Sequence, residues 1–185
     1  MSPVPPSAVG ADLVELLAVP YRATAAYRDL LELGQNALPA VRRGLRHSSA
    51  DVRLHCCWFL DIYLSPDTLT DLIALLEDSD HRVRETTLHT LACDRCKEGS
   101  CRPDEAHVLP IAMRLLASDP NAHVRAMAIE VVGHFVHGNS SAVSALEAVG
   151  LSDENPTVRK KAKWYAPGGP IYHRSLPKRE RRATI

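Results

Sequence analysis

The sequence predicts an all-α chain, an α-α superhelix of about five helical hairpins. Two observations carry that expectation. The 185 residues are 45% hydrophobic but only 5% aromatic, so the core is aliphatic and suits helical stripes better than alternating strands. A short Val-Arg pattern also recurs along the chain, each time at the start of a run with helical apolar spacing.

The pattern sets the order of the elements. A Val or similar residue followed by Arg occurs at Tyr21-Arg22, Val52-Arg53, Val83-Arg84, Val124-Arg125 and Val158-Arg159, with arginine spacings of 31, 31, 41 and 34 residues. Before the last three pairs the turn repeats as well: Asp78-Ser79-Asp80, Asp119-Pro120-Asn121 and Asp153-Glu154-Asn155-Pro156. Asp and Asn at such positions end one helix and cap the next, because their side-chain oxygens take up backbone N–H groups that have no partner inside the helix. Three residues after each Arg the residue is small, namely Ala25, Cys56, Thr87, Ala128 and Ala162, which lets neighbouring helices approach. A second amphipathic helix precedes each of the later turn-helix units, over 37–45, 69–76, 108–116 and 141–149. The unit is therefore a hairpin, and stacking hairpins buries a continuous core. The repeated arginines are expected to form a ladder with the turn carboxylates.

These segments, LELGQNALPAVRRGL (31–45), DSDHRVRETTLHTLA (78–92) and DPNAHVRAMAIEVVG (119–133), resemble HEAT repeats in their short bacterial form. The resemblance covers roughly residues 11–165. It implies a binding scaffold, since one such fold serves many sites. Enzymes built on similar repeats are not supported. The His-Glu dipeptides of the diiron deoxyhypusine hydroxylases are absent, no chromophore motif like that of phycobilin lyases is visible, and the middle repeats are too acidic for the groove of an alkylpurine glycosylase. Phosphate loops, nucleophile elbows and zincin helices are also missing.

The ends depart from the repeat. Residues 1–10, rich in Pro and small residues, are expected to be a disordered leader without a secretory signal, and 11–172 to form the repeat domain. Pro167-Gly168-Gly169-Pro170 stops the last helix, and Ile171 and Tyr172 are placed to cap the stack. Residues 173–185 read as a basic flexible tail. Residues 1–158 carry 13 Lys and Arg against 21 Asp and Glu, and residues 159–185 carry nine against one. That polarity supports an alternative function, association with nucleic acid through Arg159, Lys160, Lys161, Lys163, Arg174, Lys178, Arg179, Arg181 and Arg182. No apolar run is long enough to span a membrane, and five cysteines, an odd number, fit a reducing, cytoplasmic setting.

The long spacing of 41 holds an insertion over 93–103 with Cys93, Cys96 and Cys101 spaced C-x2-C-x4-C. That spacing suits a structural zinc ion, which takes four N or S ligands in tetrahedral geometry. The fourth ligand would be His89, one helical turn before Cys93, or His107 at the start of the next helix. Free thiols or a redox pair remain the other readings, and a metal-dependent enzyme at the insertion is a further alternative function. Cys56 and Cys57 fall at core positions and are expected to be buried and inert. The leading expectation is a non-enzymatic scaffold that binds a protein partner on the concave face, lined by the second helices of the hairpins.

Overall fold

A computed structural model describes residues 6–93 and 103–177. Among them the only regular structure is helical. Eleven α-helices are α1 (Pro6–Leu16), α2 (Pro20–Leu33), α3 (Leu38–Gly44), α4 (Ala50–Ile62), α5 (Pro66–Ala74), α6 (His81–Ala92), α7 (Glu105–Ser118), α8 (Ala122–Gly133), α9 (Ser140–Ser152), α10 (Pro156–Tyr165) and α11 (Pro170–Ser175). Single 3-10 turns follow α2 and α5. The chain divides into two compact units, residues 1–102 and 103–185. The first holds three hairpins, α1–α2, α3–α4 and α5–α6. The second holds two, α7–α8 and α9–α10, followed by α11. The all-α hairpin architecture expected from the sequence is what the chain forms.

The second helices of the last three hairpins, α6, α8 and α10, start in the same way for the same reason. Asp80 accepts a hydrogen bond from Arg82 N, Asn121 from His123 N and Val124 N, and Asn155 from Thr157 N. Two residues earlier, Asp78, Asp119 and Asp153 each accept from the backbone N–H two residues on, at 2.8 Å. In the turn before α4 there is no Asp, and His47 Nδ1 takes that place by accepting from Ser49 N at 3.0 Å. The third residue of each helix, Val52, Val83, Val124 or Val158, then points into the core.

The arginine that follows does two jobs. Its guanidinium donates to the carbonyl six residues back: Arg53 to His47, Arg84 to Asp78, Arg125 to Asp119 and Arg159 to Asp153. It also reaches forward to the next hairpin. Arg53 grips Asp78 with two bonds of 2.6 and 2.8 Å in the first unit, and Arg125 grips Asp153 at 2.8 and 3.0 Å in the second. Both pairs are buried or nearly so. The expected ladder is present in each unit. A second link starts from the first helices: Arg42 of α3 and Arg46 of the turn that follows it both donate to Asp71 of α5, at 2.7 and 2.6 Å.

Three expectations need correction. Helix α1 begins at Pro6, so the disordered leader drawn over 1–10 is too long; residues 1–5 lie outside the described residues. In α2 the third residue is Arg22, which is exposed, while Ala23 and Ala26 are buried. The first hairpin thus lies one residue out of the register read from Tyr21-Arg22, and Ala25 faces solvent. An alanine stands where the ladder arginine stands elsewhere, which fits a following turn, His47-Ser48-Ser49, that carries no carboxylate. Finally, the tail drawn from residue 173 begins inside α11, which extends to Ser175.

Helix α11 supplies the cap foreseen for the end of the stack. Tyr172 packs on His137 with ring centroids 4.5 Å apart, and His137 Nε2 lies 2.9 Å from Ser175 Oγ. Beneath it, Gly133 of α8 lies against the ring of Tyr165, where a Cβ would collide with the ring atoms. Among the described residues no helix is long and apolar enough to cross a membrane.

Candidate functional site

The first unit concentrates the chemistry on its second helices. Tyr27 of α2 and His55 and Trp58 of α4 form one aromatic group on the surface. Tyr27 lies 5.7 Å from His55 and 6.2 Å from Trp58, and His55 meets Trp58 edge-on at 4.8 Å. Trp58 is 42% exposed and Ile62, one turn on, is 54% exposed. On the other side of α4, Phe59 and Leu60 are fully buried. The helix therefore carries a complete core stripe and, separately, apolar side chains in solvent that the core does not use.

At the C-terminal end of the same helix lies Asp61. Its side chain, the imidazole of His89 in the last turn of α6, and the thiol of Cys93 at the end of α6 each bring a donor atom within 4.8 Å of the others. His89 Nε2 is 3.9 Å from Asp61 Oδ2. Asp61 Oδ1 is buried and accepts no hydrogen bond among the described residues. An unsatisfied buried acceptor costs about 1–3 kcal/mol, so its place in the fold calls for an explanation.

Asp61 also acts on Tyr27. Burial first, and the nearby Asp61 carboxylate second, push the Tyr27 hydroxyl up to about 12. In the second unit burial, reinforced by Glu130, does the same to Tyr165. A tyrosine raised above its unfolded value near 10 favours the fold at every pH below that value and loses the contribution as pH climbs from about 10 to 12. The alkaline fall of stability should accordingly flatten in Tyr27→Phe. Urea midpoints measured between pH 9 and 12 will show it, and parallel curves for wild type and variant would contradict it.

The candidates named from the sequence divide into several groups. His89 and Cys93 stand together, while Cys96 and Cys101 lie outside the described residues. His107 belongs to α7 of the second unit, where its Nδ1 lies 3.2 Å from Asp104 Oδ2. Cys56 and Cys57 are fully buried in α4; burial raises both thiols, Cys57 to about 12, which makes them poor nucleophiles and poor ligands. Of the basic residues, Arg159 is held by turn carbonyls, Lys161 by Glu130 at 2.6 Å, and Lys160 lies over the ring of Trp164. Arg174 is exposed, and Lys178, Arg179, Arg181 and Arg182 lie outside the described residues.

Neither Asp61 nor the aromatic group figures among those candidates. The repeat itself carried the signal for Asp61. One period of 31 residues, the Arg53-to-Arg84 spacing, sets position 61 of α4 beside position 92 of α6, next to Cys93 and one turn from His89.

Comparison with protein families places the hairpins. Models of HEAT repeats match residues 12–92 and, separately, residues 108–138, together more than half of the sequence. This chain is a HEAT-repeat protein. No curated protein matches it. Among solved structures, the HEAT chain is similar to one from the complex of CpcE and CpcF of phycocyanin lyase from Nostoc sp. PCC7120. That match has a TM-score of 0.65 and 20% identity, over 85% of this chain and 98% of that one. It is also similar to a designed armadillo repeat protein in complex with the peptide (KR)4, with a TM-score of 0.58 and 21% identity, over 84% of this chain and 79% of that one. At such identities the likeness is one of fold: a solenoid of helical hairpins.

Proposed function

We propose that this HEAT-repeat protein is a non-enzymatic scaffold that docks a protein partner on the exposed surface of α2 and α4, with Trp58 as the anchor. The observation that carries the reading is the exposed indole braced by Tyr27 and His55. Tryptophan and tyrosine dominate the energetics of protein interfaces, because they bury much area at little conformational cost. Here the ring is already held from two sides, so little freedom is lost when a partner covers it. The continuation to Ile62 widens the apolar patch. Both solved relatives named above are complexes, one with a protein subunit and one with a peptide, which supports a binding role for this architecture.

The test compares wild type with Trp58→Ala in affinity capture from the native cell, followed by titration of the recovered partner. Trp58→Ala is expected to weaken that partner's affinity by about 30-fold or more, the effect of losing an interface anchor of about 2 kcal/mol. A partner that binds both proteins equally would overturn the reading.

A further inference from the structure

We propose that Asp61, His89 and Cys93 form a zinc-class metal site that ties α4 of the second hairpin to α6 of the third. It differs from the site expected from cysteine spacing alone, because one ligand comes from a different repeat and is a carboxylate.

The argument begins with the donors. Carboxylate oxygen, imidazole nitrogen and thiolate sulfur are the three ligand types zinc takes from proteins, and a borderline-soft dication accepts all three at once. Calcium or magnesium would demand an oxygen-rich shell that this group does not offer. The donors are within 4.8 Å of one another. Zinc bond lengths place tetrahedral ligands about 3.3–3.8 Å apart, so a small rotation of each side chain closes the set. The backbone helps, since His89 and Cys93 are four residues apart, one on the last turn of α6 and the other at its end. Both therefore present their side chains to the same side, the side Asp61 occupies.

Charge and burial agree. Binding converts the Cys93 thiol to a thiolate, and the proton leaves to solvent. The thiolate and the Asp61 carboxylate together neutralise the dication, and His89 adds a neutral lone pair. Asp61 Oδ2 lies toward His89, and the other oxygen of the same carboxylate, the buried Oδ1, accepts no hydrogen bond among the described residues, so the carboxylate has charge left for a cation to balance. His89, at 54% side-chain exposure, leaves a path from solvent. Three protein ligands leave the fourth tetrahedral position to a water or another donor.

The location gives the site a role. Repeat proteins are held together by interfaces between neighbours, and α6 is the last helix of its unit before the insertion. A metal that joins the end of α4 to the end of α6 pins that helix terminus where the regular repeat is interrupted.

The experiment uses the full chain, stripped with chelator under reducing conditions and titrated with Zn²⁺, with Co²⁺ as the spectroscopic probe. Wild type is expected to bind one ion tightly, and Co²⁺ to show thiolate charge-transfer absorption. Zn²⁺ at about a hundred times its Kd should raise the thermal midpoint by about 5–10 °C. Asp61→Ala, His89→Ala and Cys93→Ser should each weaken binding by about ten-fold or more and abolish that shift. The metal-free Asp61→Ala protein should melt no lower than metal-free wild type, because it loses an unsatisfied acceptor. If Asp61→Ala does not fold, Asp61→Asn, of the same shape, carries the affinity measurement. Absence of Zn²⁺ binding by wild type, or full wild-type affinity in the Asp61 variant, would overturn the proposal.

Discussion

Arg125→Ala is expected to destabilise the second unit by about 3–5 kcal/mol, the loss typical when one member of a buried ion pair is removed and the other stays behind. The side chains of Arg125 and Asp153 are only 6% and 5% exposed. Removing the guanidinium breaks two bonds to Asp153, one to Glu154 and one to the Asp119 carbonyl. A lysine restores the charge but not the planar fork, so Arg125→Lys should recover only part of the loss. Replacing both partners, as in Arg125→Met with Asp153→Leu, would remove the stranded charge. It would still leave Asn155 N without its acceptor in the turn. Thermal unfolding followed by circular dichroism reads the result as a fall of about 10 °C. The ladder also sets the acid limb. Burial pushes the Asp153 carboxyl up, but hydrogen bonds from Arg125 and the Asn155 backbone outweigh it, and the group titrates below its ordinary value. Its contribution is complete above about pH 4 and fades as pH falls through the folded value, so Arg125→Ala should lose less stability on acidification than wild type. Equal acid limbs in the two proteins would remove the ladder from the account.

That ladder was legible in the sequence because the turn and the arginine repeat together. Asp at six and Asp or Asn at four residues before the Arg are local signals, and local signals survive without knowledge of the rest of the fold. The cap at Tyr172 was legible for a related reason, since an end repeat must cover its open face. The first hairpin was misread because a Tyr-Arg pair imitated the motif without its capping turn. Burial of Ala23 and Ala26, decided by packing, set the register instead. The start of α1 is hidden in the sequence because the helix carries no ladder residue or capping turn and opens among prolines and small residues. The group of Asp61, His89 and Cys93 shows a different limit. His89 and Cys93 are close enough in sequence for helical spacing alone to pair them, whereas Asp61 lies a whole repeat away and is an ordinary surface-type residue by composition. The step from solenoid period to lateral neighbour was needed to reach it.

Two adjacent aromatic residues of α4 make opposite predictions, and together they test how the helix divides its work. Phe59 is fully buried and stacks on Tyr63 with centroids 4.7 Å apart. Phe59→Ala empties the centre of the first unit and is expected to cost about 3–5 kcal/mol, since the helices around it cannot collapse fully into the space. Trp58, one residue earlier, faces solvent beside Tyr27 and His55. Its removal deletes edge contacts that are worth roughly 0.5–1.5 kcal/mol and leaves the core stripe intact. The distinction follows from register: Phe59 stands seven residues after the buried Val52, two turns along the same face, and Trp58 stands off that face. Urea denaturation should therefore show a large fall in midpoint for Phe59→Ala and a small one for Trp58→Ala, while partner binding falls for Trp58→Ala at temperatures where that variant is still folded. Comparable destabilisation by both substitutions would mean that Trp58 serves the fold. The surface of α2 and α4 would then have no anchor to spare for a partner.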